Sequence, residues 1–218
     1  ERPAIGLKYA GLPLANSVDS SLLLLSSLLL MFIMFLRRQL RGNTNYLIIV
    51  PGIIMGTYIL AVSMQAGTEQ SVLPPAVLEQ GLILLHVPSM VLAFALLILA
   101  SGNALLRLIS GCDWFRARQN KDVMETIHIN LEGRQYRMVT LAIILLGTGI
   151  LSGMFWSSLA WGHYWLWEPK QLISIALWFY YLAILHLRLQ KGTQDRAFAV
   201  LCLLGLPLLT LTWFGTNL

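Results

Sequence analysis

From Arg137 to Ser158 the chain reads RMVTLAIILLGTGILSGMFWSS, and Arg137 is its only charged residue. As a helix this stretch spans roughly 33 Å at 1.5 Å per residue, enough to cross about 30 Å of hydrocarbon. Lipid offers no partner for a backbone N–H or C=O, so a run of this length reads as a transmembrane helix. Stretches at 18–36, 45–64, 81–101, 171–190 and 196–214 carry the same reading. With 137–158 they predict an all-α, polytopic membrane protein with six transmembrane helices.

Composition agrees. Of 218 residues, 57% are hydrophobic and 11% charged, with a mean hydropathy of +0.70. A soluble domain needs more charge to cover its surface. The two cysteines, Cys112 and Cys202, are far apart and form no CxxC pair, which argues against thiol-disulfide chemistry and for two small buried residues. The chain reads as one transmembrane domain, 1–218. Because it begins at Glu1, it is taken as a processed form or part of a longer product, and no cleavable signal peptide is visible.

The net charge of +5 is a topology signal and implies no nucleic-acid partner; the partner it implies is the lipid bilayer. Arg37, Arg38 and Arg41 follow the first span. Arg107, Arg116, Arg118, Lys121, Arg134 and Arg137 separate the third and fourth, and Arg188, Lys191 and Arg196 the fifth and sixth. Twelve of the fifteen Lys and Arg thus fall on one side, which the positive-inside rule makes cytoplasmic. Both termini and the loop after the fourth span then face outwards. The polar segment 110–136 reads as a cytoplasmic connector that includes at most a short amphipathic helix on anionic headgroups.

That outer loop reads Trp161-Gly-His-Tyr-Trp-Leu-Trp-Glu-Pro-Lys170. Trp and Tyr gather at bilayer interfaces, but a belt takes one or two residues from each of several helices. So many rings on one short loop suggest a surface for a planar ligand. Pro169 suits the first turn of the helix that follows.

Four histidines remain. An ionisable group inside a span is a functional candidate by default, and neutral imidazole is the usual axial ligand of haem iron. His86, near the outer end of the third span, is either such a ligand or a satisfied interhelical histidine. His186, near the inner end of the fifth, is a ligand or a side chain that snorkels or bonds a carbonyl. His163 belongs with the ring surface, and His128 reads as solvated. Gln171 and His186 lie fifteen residues apart, roughly 22 Å along a helix, so one haem at the tryptophan loop cannot also be bound by His186.

These residues resemble the CcsA/ResC family, the membrane proteins of system II cytochrome c maturation, which carry a tryptophan-rich WWD signature. Its pattern is approximately W-G-x-x-W-x-W-D-P-K-E, followed by a span ending in L-H-x-R. Trp161, Gly162, Trp165, Trp167, Pro169 and Lys170 match, as do Leu185, His186 and Arg188. Gly149-Ile-Leu-Ser-Gly153 resembles the family's I-L-S-G, and Leu85-His86-Val87 its L-H-V. The stretch from Gly11 to Ser17 is similar to its P-L-S-N, and Trp213-Phe-Gly215 with Asn217-Leu218 to its F-G-x-N-L. Glu168 stands in place of Asp, Gln171 of Glu, Ile173 of Trp, and Val18-Asp19 of Tyr-Glu. The chain stops at Leu218, before the segment that carries a second external histidine in the family.

The resemblance implies a haem b handler in a bacterial inner (plasma) or a thylakoid membrane, with the tryptophan loop on the periplasmic or lumenal side. His86 and His186 are its implied iron ligands. Trp161, Gly162, Trp165, Trp167, Glu168 and Pro169 form the rest of the implied haem site. The implied activity is presentation of haem for thioether bonding to a CxxCH apocytochrome c, as a haem lyase component if that activity is retained, with a CcsB/ResB-like membrane partner. No residue reads as a general base. Two alternatives stand beside it: a non-catalytic haem-binding subunit that kept the fold, and a transporter with an aromatic-gated outer vestibule. Scarcity of acidic residues within the spans argues against a proton-coupled transporter.

Overall fold

A computed structural model describes Ser26 and residues 82–110, 121–191 and 196–214. Every element among them is helical: α1 (Ile83–Ser110), α2 (Lys121–Trp161), α3 (Pro169–Lys191) and α4 (Arg196–Phe214). Three helical stretches are long and apolar enough to cross a membrane, Leu84–Ser110, Leu131–Trp161 and Pro169–Gln190, and Arg196–Thr212 is a shorter apolar one. The predicted spans 18–36 and 45–64 lie outside the described residues, and with them the count of six and the placement of both termini.

The polar connector is shorter than the sequence suggests. Its second half, from Lys121, is the opening of α2, which runs unbroken for 41 residues, roughly 60 Å at 1.5 Å per residue. Hydropathy marks where lipid begins, not where a helix stops. The stretch 121–136 intersperses helix formers (Lys121, Met124, Glu125, Leu131, Glu132, Arg134 and Gln135) among weaker ones and contains no proline to break the helix. Likewise α1 continues past residue 101 to Ser110.

The four helices close a ring: α1 packs on α2 and α4, and α3 on α2 and α4. Alanines 93, 95, 100 and 104 bring the α1 backbone close to its neighbours, and all four are fully buried. Small residues at such contacts suit association in lipid, where packing and hydrogen bonds replace the hydrophobic drive. Around them Phe94, Leu97, Val139, Leu146, Leu177, Tyr181, Phe198 and Leu209 complete a common core. The outer face of α2 instead carries an exposed stripe of Leu141, Ile144, Leu151, Phe155 and Leu159. At helical spacing that stripe is a surface for acyl chains.

Polar side chains tie the helices through backbone oxygens. Trp178 Nε1 donates to Ile143 O at 3.0 Å, Tyr180 OH to Leu201 O at 2.7 Å, and Tyr181 OH to Cys202 O at 3.3 Å. Cys202 is buried in that contact. Gly205 makes room for the two tyrosines, since a Cβ there would run into the Tyr181 hydroxyl.

One end of the ring is stapled by charge. Glu132 of α2 accepts from Arg107 of α1 at 3.2 Å and from Arg188 of α3 at 2.9 Å. The Arg188 guanidinium also lies over the rings of Tyr136 and Phe198, 4.7 and 4.5 Å from their centroids. Removing the shared carboxylate leaves two guanidiniums facing each other with little water. Glu132→Gln should therefore lower stability by roughly 3 kcal/mol, read as a fall in the thermal midpoint of the detergent-solubilised protein. An unchanged midpoint would show that water already screens the staple.

Candidate functional site

The opposite end is shaped by how α2 stops and α3 begins. Gly162 ends α2 with a φ of +78°, the left-handed conformation that favours glycine just past a helix. Its N–H still reaches Ser158 O at 3.0 Å. Ser157 Oγ donates to His163 O at 2.8 Å and draws the loop back over the last turn. Glu168 then starts α3: its carbonyl accepts from Leu172 N at 3.1 Å, Pro169 follows as the first helical residue, and an acidic residue here favours the helix dipole. Gln171 closes the loop, its Oε1 accepting from Leu166 N at 3.0 Å.

Two of the loop's rings stand at right angles. Trp165 and Trp167 meet edge to face, with centroids 6.1 Å apart and planes at 87°. Phe155 and Tyr164 do the same at 5.9 Å and 85°. The cause for Trp167 lies in the backbone: its φ is +56°, a left-handed conformation that costs a non-glycine residue on the order of 1 kcal/mol or more. The indole is thereby turned outwards and is 74% exposed, with Trp161 at 46%. Strain of this kind persists only where surrounding bonds over-determine it, and here Gln171 and Pro169 flank it.

His86 closes the first turn of α1 with its ring against α2. Its Nδ1 lies 2.7 Å from Gly149 O. A carbonyl can only accept, so Nδ1 carries the proton and Nε2 the lone pair. The ring stacks on Trp156 with centroids 6.2 Å apart and planes at 11°. It occupies the space a side chain on Gly153 would need, since a Cβ there would lie 2.7 Å from Cε1 and Nδ1. Lys170, the second residue of α3, is within electrostatic reach of the imidazole. The structure thus gathers His86, Trp156 and the start of α3 at the tryptophan end of the ring.

The other sequence candidates fall elsewhere. His186 is on α3 near the charged staple, and Gln190 Nε2 lies 2.9 Å from its Nε2. An amide nitrogen can only donate, so the His186 Nε2 lone pair is engaged in this arrangement. His163 is exposed in the loop, and the side chain of His128 lies outside the described residues. No cluster of three or more His, Cys, Asp or Glu side chains converges among the described residues.

Gly149, Gly153 and Gln171 enter the sequence reading only through the family pattern, with no role in the site, and Trp156 does not enter it at all. The first two carried a signal, small residues four apart on one helix face, the spacing at which helices approach closely.

Comparison with known proteins adds a family. The family model described as cytochrome C assembly protein matches residues 14–218. A cytochrome c biogenesis protein CcsA of Heterosigma akashiwo is 25% identical over 241 residues, 96% of this chain and 74% of its own length. The protein of that name in Chlamydomonas reinhardtii is 32% identical over 163 residues, 74% of this chain and 44% of its own. In Synechococcus sp. (strain CC9605) the figures are 39% over 88 residues, 40% and 29%. No solved structure matches the chain at a significant level. With apolar helices of membrane-spanning length and a family match over nearly its whole extent, this integral membrane protein belongs to the cytochrome C assembly protein family.

Proposed function

We propose that the chain binds haem b at its tryptophan end and presents it for covalent attachment to apocytochrome c. The observation that carries this reading is the state of His86. A backbone carbonyl fixes its proton on Nδ1 and leaves Nε2 with a lone pair, as an imidazole ligand of iron requires. The residues around it suit the rest of the molecule. Exposed indoles of Trp161 and Trp167 offer apolar area to a porphyrin face or edge, and Lys170 offers a cation to its carboxylates.

The attachment needs no residue that shuttles protons far. Each cysteine S–H adds across a vinyl C=C, forming one C–S and one C–H bond, with no oxidant or reductant consumed. The chain's part is to hold the porphyrin, orient its edge and limit water. The other participants are a CxxCH apocytochrome c and a CcsB/ResB-like partner. His186 is then a second position, on the side from which haem arrives. In this reading the tryptophan loop lies on the periplasmic or lumenal side of a bacterial inner or a thylakoid membrane, with six spans and both termini outside, and the partition of the basic residues supports that side. The competing reading, a subunit that binds haem without presenting it, differs in losing thioether formation while keeping the spectrum.

Single cysteines placed at 161–168 should react with impermeant reagents only from the outer side; cytoplasmic labelling would remove the proposal altogether. The purified full chain should show a haem spectrum, and His86→Ala should lose most of that haem or shift to a high-spin form that added imidazole reverses. Haem content and spectrum unchanged in His86→Ala would exclude it as a ligand. Replacing both Trp161 and Trp167 with Ala removes on the order of 300 Å² of ring surface, worth several kcal/mol at about 25 cal/mol/Å² as an upper bound. Haem per protein should fall at least tenfold while helix content stays constant. Full haem with a lowered thermal midpoint would make the loop an interfacial anchor only.

A further inference from the structure

We infer that Trp156 is a positioning residue: together with the Gly149 carbonyl it fixes both the plane and the proton of the His86 ring. The inference rests on His86 being the iron ligand, as proposed above, and goes further by assigning what orients it. Trp156 lies outside the tryptophan loop, in the body of α2, five residues before Trp161.

An imidazole on a helix has two freedoms that matter to a ligand. It can turn about its Cβ–Cγ bond, and it can carry its proton on either nitrogen. Residues 149, 153 and 156 of α2 are spaced by four and three, so they share one helix face, and each removes part of that freedom. Trp156 lies nearly parallel to the ring, 11° off with centroids 6.2 Å apart, so a quarter turn of the imidazole would give up the parallel, offset arrangement of the two rings. Gly149 O, 2.7 Å from Nδ1, distinguishes the two half-turn orientations, because only one of them puts an N–H on the carbonyl. Gly153 supplies the space, and any side chain there displaces the ring.

The carbonyl is available for a helical reason. Gly149 O belongs to the ladder of α2, yet a carbonyl has two lone pairs and can take a second donor. Ser152 Oγ competes for it at 3.1 Å but lies closer to Thr148 O, at 2.8 Å. The His86 N–H is the shorter of the two side-chain contacts to Gly149 O. A donor bond of this kind also raises the basicity of the opposite nitrogen. Trp156 and Gly149 therefore set both the direction and the strength of the Nε2 lone pair.

The test uses the full chain in detergent, loaded with haem, with His86→Ala measured alongside. Trp156→Ala should weaken haem binding by about 10- to 100-fold, the usual range for groups that orient a metal ligand. Its ferric spectrum should move toward high spin, and added imidazole should restore the low-spin form. Trp156→Phe keeps a ring to stack on and should return most of the affinity and the wild-type spectrum. Gly153→Ala, which pushes the imidazole without touching the indole, should reproduce the Trp156→Ala spectrum. If Trp156→Ala shows wild-type affinity and spectrum while His86→Ala alters both, positioning by Trp156 is wrong and the haem reading stands. If His86→Ala leaves both unchanged, the haem reading fails and takes this inference with it. Should Trp156→Ala not insert, Gly153→Ala decides, and an unaltered spectrum there overturns the proposal.

Discussion

How closely α1 can approach α2 governs the tryptophan end, and two residues without side chains set that distance. A Cβ on Gly149 would lie 2.6 Å from Met90 Sδ, and one on Gly153 would lie 2.7 Å from the His86 ring. With both positions bare, the α1 side chains reach the α2 backbone itself. His86 can then take a main-chain oxygen as its partner. This matters physically because a side-chain partner could change rotamer, whereas a carbonyl inside an unbroken helix cannot. A group whose pairing should not drift is thus tied to the most rigid acceptor nearby.

The two ends of the ring solve the same problem with opposite chemistry. At the arginine end, Glu132 is shared by cations from two other helices, so three elements are held by charge. Such pairing is worth little on an open surface but more where water is scarce. At the tryptophan end the ties among the described residues are hydrogen bonds to backbone oxygens and ring contacts, with Lys170 and Glu168 as charged neighbours of each other. Between the ends, Tyr180, Tyr181 and Trp178 join α3 to its neighbours through carbonyls. Each of these donors would be costly to leave unpaired in lipid, so the pairing sets rotation of α3 as well as its depth.

Much of the helical frame was legible because lipid imposes a length and a polarity that hydropathy reads directly. The spans at 137–158, 171–190 and 196–214 fall inside observed helices, and the span at 81–101 does so from Ile83 onward. What hydropathy misses is helix that leaves the lipid. Residues 121–136 are polar and helical together, and only their helix-forming composition and lack of proline hint at it. At the site, His86 and the tryptophan run could be singled out as unusual chemistry near one end. The bond between His86 and Gly149 could not, because it joins residues 63 apart and uses a main-chain atom that every residue possesses. Trp156 was equally silent. A tryptophan in an apolar run reads as core, and only the register of α2 against α1 turns it toward the imidazole.

The tryptophan loop shows why a count of rings cannot give their arrangement. Seven residues with three indoles suggest a flat wall, yet Trp165 and Trp167 are perpendicular. Trp167 also carries a positive φ, which no count of rings reveals. That angle is in turn bracketed by Pro169, which restricts the residue before it, and by the Gln171 amide, which holds Leu166 N. Glutamine at position 171 thus has a structural task that a glutamate could also perform, since both offer an acceptor oxygen at the same reach. The family's Glu and this chain's Gln are then interchangeable as clasps. They differ in charge. The Gln171 side chain therefore keeps the clasp on Leu166 N without adding a negative charge to the start of α3.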